Sequence, residues 1–305
     1  MNNPILSVCI PIYNRKEYLE KILQRFVKEK SLFEDDIHLY ISDNCSEEDL
    51  ESICIKYKEK GLNLTYHRNT ENLGMDGNFV NCFKNAKGKY LLLLGSDDVP
   101  GNDFFKMILP VLKHEEYGLV HLMDDEKKES IASEDFSSFL LDLNVWITFI
   151  SSNIVSSRFI QDIDFSKYAG TMLSQVPLYM EASYKSKKNM ILKGVFFQGE
   201  NDSKHNSGYN LFQVFIVNLL AIIKEYVKKV AITEKEYDEF KRLLFKNLLA
   251  GEVNRRLIFR KNIRLETSGG WNLVWYYYGK CPYMYYYLVL ELFKSLRRKI
   301  SKVNE

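Results

Sequence analysis

Two adjacent carboxylates, Asp97 and Asp98, follow the apolar run Tyr90 to Leu94 and give this chain its first chemical signal. Side by side, they would repel a diphosphate unless a divalent cation sat between. Mg²⁺ or Mn²⁺ suits that place, taking one or two carboxylates together with substrate phosphate oxygens. A cation so held stabilises the charge left on a nucleoside diphosphate when a sugar departs. Ser96-Asp97-Asp98 would also serve as a turn or a helix cap, where aspartate is common.

Three further polar clusters accompany this pair. Asp43-Asn44 ends an apolar run, and Asp43 would either accept a hydrogen bond from a pyrimidine N–H or cap the helix that follows. Between Arg68 and Asn78 lie a guanidinium suited to phosphate and two glycines, Gly74 and Gly77, that permit close backbone approach. A helix starting at Asn78 would add its free N-terminal amides, although the same stretch would also make a plain polar loop with an Asn cap. Tyr13-Asn14 completes the set.

The elements between the clusters have a clear period. Residues 5–13, 37–42, 62–67 and 90–94 are short apolar runs that read as buried strands. Tyr18, Leu19, Ile22, Leu23 and Phe26 fall on one helical face, and 50–57 and 78–86 read as helices. Strands apolar on both sides and alternating with helices imply an α/β fold, a mostly parallel sheet with helices on both faces. Such sheets bind ligands beyond the carboxyl ends of their strands. All four clusters directly follow a strand, so they are expected on one rim. Further along, 119–123 reads as a strand ending in Asp124-Asp125, 146–155 as an apolar stretch, 171–184 as a helix and 190–197 as a strand. From about 210 the pattern is helical, broken at Gly269-Gly270.

In order and spacing, the four clusters resemble the family 2 glycosyltransferases, whose nucleotide-binding fold is called GT-A. The matching pieces are Ser7 to Arg15 (Ser-Val-Cys-Ile-Pro-Ile-Tyr-Asn-Arg), Ile41 to Asn44, Arg68 to Asn78 and Leu94 to Asp98, within about residues 5–100. Gly74 to Asn78 (Gly-Met-Asp-Gly-Asn) and Ile150 to Ile154 (Ile-Ser-Ser-Asn-Ile) are similar to the bacterial abequosyltransferase-like enzymes of polysaccharide assembly. The resemblance implies that Pro11, Tyr13, Asn14 and Asp43 face the base and ribose, that Arg68, Asn72, Gly74 and Asn78 line the rest of the donor site, and that Asn44 is a further donor-binding residue. Asp97 and Asp98 would hold ribose and a divalent metal, Mn²⁺ or Mg²⁺. It also implies a nucleoside-diphosphate sugar as donor, UDP by default, and a glycan acceptor carried on a lipid.

Two departures stand out. Gly95 occupies the place where many relatives carry a first Asp of the metal motif. Where inverting relatives place a Glu-Asp pair at the start of the acceptor helix, this chain has Ser174-Gln175. A transfer that inverts needs a group to accept the acceptor hydroxyl's proton. Asp125 is the favoured base, because the sheet places it on the rim beside Asp124. Glu181, on the acceptor helix, is the alternative base or else a surface helix charge. Glu200 and Asp202 in a polar loop are further candidate carboxylates, and His205 in the same loop is a candidate neighbour of the metal.

Composition bounds the rest. Of 305 residues, 46% are hydrophobic and 27% charged, as expected of a folded domain and not of a disordered chain. Five cysteines without C-x-x-C spacing suggest reduced thiols, not a disulfide frame or a zinc site. With no signal peptide and no spanning run, the protein is expected to be cytoplasmic, on the inner face of the cell membrane. Residues 241–305 carry 14 Lys/Arg against 4 Asp/Glu, a net +10, leaving −8 for the remainder. Nine aromatics between Trp271 and Tyr287 precede Lys294, Arg297, Arg298, Lys299 and Lys302. Rings favour the membrane interface and basic residues favour anionic headgroups, so this tail is read either as a peripheral membrane anchor or as a core-packing helix with a solvated basic face.

The expected organisation is a GT-A domain over 1–208, with a donor half about 1–100 and an acceptor half about 101–208, then a helical, basic and aromatic extension over 209–305. No nucleic-acid partner is expected. Two rivals remain. A sugar-phosphate nucleotidyltransferase would need a Gly-rich phosphate loop, which Ile10 to Arg15 lacks. A degenerate, non-catalytic nucleotide-binding or scaffold relative would fit Gly95 and the missing acid pair.

Overall fold

The computed structural model describes residues 3–125, 129–198, 208–259 and 266–301. The chain forms two compact units, one of residues 1–139 and 146–203, the other of 140–145 and 204–305.

The first unit is built on an eight-stranded sheet of order β3-β2-β1-β4-β8-β6-β9-β7. Its strands are β1 (Leu6–Ile12), β2 (Ile37–Asp43), β3 (Leu64–Arg68), β4 (Tyr90–Leu93), β6 (Leu119–Asp124), β7 (Ile131–Ser133), β8 (Asn153–Ser156) and β9 (Asn189–Gly194). A separate ribbon pairs β5 (Val99–Pro100) with β10 (Phe197–Gln198). Strands β3, β2, β1 and β4 are parallel neighbours. Strand β8 then enters antiparallel between β4 and β6, and β6 and β9 are parallel again. The sheet is therefore mixed, and residues 146–155 supply its reversed strand.

Helices cover both faces. Helices α1 (Lys16–Glu29), α2 (Glu51–Glu59) and α4 (Phe104–His114) share one core with Leu6, Val8, Ile10 and Ile12 of β1 and with Tyr90 and Leu92 of β4. On the opposite face lies α3 (Gly74–Asn85), where the Cys9 thiol meets the Cys82 carbonyl. Helix α6 (Val176–Lys185) packs on β6 and β8. Helix α5 (Phe136–Leu143) lies between β7 and β8 in the chain. Each large side chain buried in this core contributes roughly 1.5–3 kcal/mol to stability.

Two boundaries differ from the sequence reading. Helix α3 starts at Gly74, four residues before the expected Asn78. Helix α6 starts at Val176 with Pro177 in its first turn, so 171–175 is a loop, in which Met172 has φ 62°. Proline fits the first turn because its missing N–H has no partner there anyway.

The second unit is helical: α7 (Leu219–Lys228), α8 (Glu234–Leu244), α9 (Ala250–Glu252) between π-helical turns, α10 (Gly270–Tyr278) and α11 (Pro282–Ser301). A capping box, Thr233 with Glu236, starts α8. Phe245 and Tyr278 meet at 4.9 Å between ring centroids, and Arg242 on α8 donates to Tyr287 Oη on α11.

Candidate active site

The four polar clusters meet at the carboxyl ends of β1 to β4. The loop after β1 is laced to the loop after β2: Asn14 N–H donates to Ser46 Oγ at 2.9 Å, and Glu47 N–H donates to Asn14 Oδ1 at 2.8 Å. Asn14 itself adopts φ 49°, a left-handed conformation that asparagine tolerates better than most side chains. Tyr13 stands exposed beside it, and Pro11 lies half-buried on β1 opposite Ser42.

Asp43 ends β2 with a fully buried side chain. Ser46 N–H donates to its Oδ1 at 2.9 Å and Tyr66 Oη–H to its Oδ2 at 2.7 Å, with Arg68 Nε 3.7 Å away. The cap bond falls on the loop and not on a helix, since α2 begins only at Glu51. Arg68 offsets this buried charge and also donates to the Ser46 carbonyl at 2.9 Å, yet half of its side chain stays exposed on the rim.

Amides hold the third cluster in place. Asn44 Oδ1 accepts from Leu73 N–H at 2.8 Å, and its Nδ2 donates to Asn72 Oδ1 at 2.8 Å and to the Gly74 carbonyl. Asn78 is buried on the second turn of α3, accepts from Ser42 Oγ at 2.6 Å and donates to the Ser42 carbonyl. Asn69 bridges Asn44 and Asn78. Asn44 and Asn78 thus fasten the loop from within, while Asn72 and Gly74 are exposed at its surface, Gly74 with φ 69°.

After β4 the chain turns sharply, with Asp98 N–H donating to the Gly95 carbonyl at 3.0 Å. A Cβ built on Gly95 would lie 2.8 Å from Asp98 Oδ2, 3.2 Å from Asp97 Oδ1 and 3.3 Å from Ser151 Oγ. Both carboxylates therefore face one point above the bare glycine. Ser151 Oγ accepts from Gly95 N–H at 2.8 Å and donates to Asp98. Burial pushes the Asp98 carboxyl above its usual range, Ser151 pulls it back, and the Asp97 charge raises it further. From the other side, Arg15 donates to Ser96 Oγ at 2.7 Å and lies 3.5 Å from Asp97 Oδ1. Arg25 on α1 donates to the carbonyls of Pro100 and Gly101, fixing the end of the turn.

Two converging carboxylates, one of them costly to ionise alone, fit a hard divalent cation that completes its shell with phosphate oxygens. Among the described residues no group of three or more His, Cys, Asp or Glu forms a closed metal cage. The donor set here is an open pair.

The acceptor side has a different arrangement. Ser174 and Gln175 are buried, with Gln175 Nε2 donating to the Thr148 carbonyl at 2.8 Å. Asp76, in the first turn of α3, accepts from Met172 N–H at 2.9 Å and Ser174 N–H at 3.2 Å. Asp124 closes β6 and accepts from Phe196 N–H at 2.9 Å; Asp125 follows it, with its own N–H donating to the Gly194 carbonyl. Since β4 and β6 both run antiparallel to β8, their carboxyl ends lie on the same edge of the sheet, two strand spacings or about 10 Å apart, and Asp125 directly follows β6 there.

Glu181 stands elsewhere. It precedes Ala182, whose carbonyl would lie 2.2 Å from a Cβ at Gly118, the residue before β6. Gly118 precedes the six-residue β6 at the end opposite Asp124. Glu181 pairs with Lys185 at 3.2 Å, as a helix charge does. Glu200, Asp202 and His205 lie outside the described residues.

With this geometry in hand, the comparisons with known proteins are decisive. The family model for glycosyl transferase family 2 matches residues 7–132. Abequosyltransferase RfbV of Salmonella typhimurium is 30% identical over 237 residues, 67% of this chain and 69% of that protein. The chain belongs to family 2 of the glycosyltransferases. Solved structures agree on the fold. S. aureus TarS 1–349 in complex with UDP superposes with a TM-score of 0.62 at 13% identity, over 88% of this chain and 78% of that one. The mannosyltransferase PcManGT of Pyrobaculum calidifontis, in complex with GDP-Man and Mn²⁺, superposes with a TM-score of 0.54 at 14% identity, over 97% and 88%.

In this glycosyltransferase the sequence reading missed three residues that hold the rim: Arg15, Asp76 and Ser151. Each lies inside a stretch that carried the family resemblance. Their roles depend on contacts 53 to 98 residues away in the chain, which no local pattern encodes.

Proposed function

We propose that this glycosyltransferase moves a sugar from a nucleoside-diphosphate donor, UDP by default, to a lipid-linked glycan in bacterial surface polysaccharide assembly. The observation that carries the reading is the convergence of Asp97 and Asp98 over Gly95, on the rim that also holds Tyr13, Asn14 and Arg68. UDP in the TarS complex, and GDP-Man with Mn²⁺ in the mannosyltransferase complex, support the same donor chemistry.

Asp97 and Asp98 would hold Mn²⁺ or Mg²⁺, which supplies positive charge to the departing diphosphate. Pro11, Tyr13 and Asn14 would face base and ribose, with Asp43 fixing the floor below them. The exposed half of Arg68, with the surface of Asn72 and Gly74, would line the remaining donor site, while Asn44 and Asn78 keep that loop in shape. Asp125 would accept the acceptor hydroxyl's proton as its oxygen bonds to the anomeric carbon. The bond from that carbon to the diphosphate breaks, and its electron pair leaves with the diphosphate. Displacement of this kind inverts the anomeric centre. A span of about 10 Å between the ends of β4 and β6 leaves room for a sugar ring.

The membrane reading rests on α11. Tyr286, Val289 and Phe293 form an exposed apolar stripe at helical spacing, with Lys294 and Arg297 exposed beside them. Apolar residues that face outward next to basic ones suit an interfacial helix, while the opposite side of α11 packs on its neighbours through Met284 and Tyr287. No helix among the described residues is long and apolar enough to cross a membrane. On this reading the enzyme works at the inner, cytoplasmic membrane face, with α11 lying in the interface.

A thermal-shift screen tests the donor site. UDP with Mn²⁺ should raise the melting point, by about 2.7 kcal/mol of stability at a ligand concentration 100 times Kd. EDTA, Asp97→Asn and Asp98→Asn should each remove the shift and leave the fold intact. A shift that survives all three would place the nucleotide somewhere other than this rim.

A further inference from the structure

We infer that Asp76 is a positioning residue that ties the donor loop to the acceptor loop, so that the acceptor meets a correctly shaped site only while this carboxylate holds both. The inference rests on the glycosyltransferase reading above and assigns a role to a residue that reading leaves unused.

Asp76 is buried in the first turn of α3, directly after the loop that carries Asn72 and Gly74. Its Oδ2 accepts from Met172 N–H at 2.9 Å and its Oδ1 from Ser174 N–H at 3.2 Å, while Ser174 Oγ reaches the Asp76 carbonyl at 3.5 Å. The partners lie 96 and 98 residues away in the chain, in the loop that leads into α6. Met172 has φ 62°, a strained conformation for an unbranched side chain, and it persists only where the surroundings enforce it. Alternate backbone N–H groups converging through such a residue form an anion nest. Here the anion is Asp76 itself, and the N-terminal end of α3 favours its negative charge.

The geometry links two surfaces. The Gly74 carbonyl accepts from Asn44, and Gly74 N–H donates to Asn72, so the turn bearing Asp76 is anchored in the donor-side amide network. On the far side, Asp76 shapes residues 172–174, immediately before α6 and next to Gln175. Loss of the carboxylate would free Met172 to leave its left-handed conformation and would unshape the acceptor side. The donor network has its own bonds among Asn44, Asn69, Asn72 and Asn78, and would stand.

Asp76→Asn and Asp76→Glu in the full chain test this. Asp76→Asn presents an amide N–H₂ to one of the two N–H donors, so it should raise the acceptor KM tenfold or more. The affinity for UDP with Mn²⁺ should stay within twofold of wild type, and hydrogen exchange should speed up in the peptide spanning 170–175. Asp76→Glu should recover part of the acceptor KM. Unchanged exchange at 170–175 with unchanged acceptor KM would overturn the inference. So would a parallel loss of UDP affinity, which would make Asp76 a support of the donor loop alone. A fall in kcat of several orders of magnitude at constant acceptor KM would overturn it too, making Asp76 the base. The exchange measurement needs no donor or acceptor, so it stands even if the wild-type chain proves to bind no nucleotide.

Discussion

Ser151 stands between Gly95 and Asp98: its hydroxyl accepts the Gly95 N–H at 2.8 Å and donates to the Asp98 carboxylate. The hydroxyl occupies space next to where a side chain at Gly95 would begin. A neutral hydroxyl donor thus lies against Asp98 beside the bare Gly95.

It follows that Gly95→Asp, although it rebuilds the fuller motif, should weaken the site. Its Cβ would press on Asp98 Oδ2 and Asp97 Oδ1, and its charge would add to two carboxylates already crowded together. The expected outcome is a Mn²⁺-dependent UDP affinity lowered roughly tenfold, about 1.4 kcal/mol, by titration calorimetry. Tighter binding in this variant would overturn that expectation.

The buried ring of His121 on β6 supplies a pH dependence. Burial pushes its pKa from 6.5 down to about 4, although a 3.0 Å bond to Asn153 Oδ1 opposes the shift. The folded chain keeps the ring neutral while the unfolded chain protonates it below pH 6.5. Stability present above that pH is therefore lost as pH falls towards 4, on the order of 3 kcal/mol at most. Urea unfolding at pH 7.5 and 4.5 should show the loss, and His121→Gln should flatten it. Equal slopes in the two proteins would exclude His121 as the source.

Asp125→Asn should lower turnover by about 10²–10⁴ without changing UDP affinity, as expected for loss of a general base. Glu181→Gln should leave turnover within twofold, because its carboxylate is paired with Lys185 on its own helix at 3.2 Å. Anomeric configuration read by NMR completes this test. A retained configuration would remove the need for any such base.

Replacing Tyr286 and Phe293 together by Ser should reduce binding to vesicles containing anionic lipid, and raised salt should weaken binding of the wild-type chain. Both residues are exposed, so the melting point should move by less than a few degrees. Wild-type protein that ignores anionic vesicles at low salt would make the stripe a surface for something else.

The parallel half of the sheet was legible because β1, β2 and β4 are buried on both faces, which leaves continuous apolar runs. Helix α4 was missed where Pro110 interrupts its apolar pattern, and β7 because three half-exposed residues carry no period. Strand β8 was seen as apolar but not as reversed, since direction is set by its neighbours and not by its composition. The rim was foreseeable from strand ends alone. Which of its polar groups face outward was not: Asn72 and Asn78 look alike in the sequence, yet one is exposed and the other is bonded to Ser42 beneath the loop.

The reversed strand also limits how this enzyme can be taken apart or recombined. Residues up to about 100 carry all four polar clusters of the rim, which makes them look like an exchangeable cassette. Cut there, the chain would expose the outer edge of Tyr90–Leu93, which β8 otherwise covers, and bare apolar edges template aggregation. The cut would also remove Ser151 from Asp98. Swaps that exchange acceptor specificity between relatives should therefore carry residues 150–156 along with the donor half. Crossovers placed between 100 and 150 are the ones expected to yield insoluble protein.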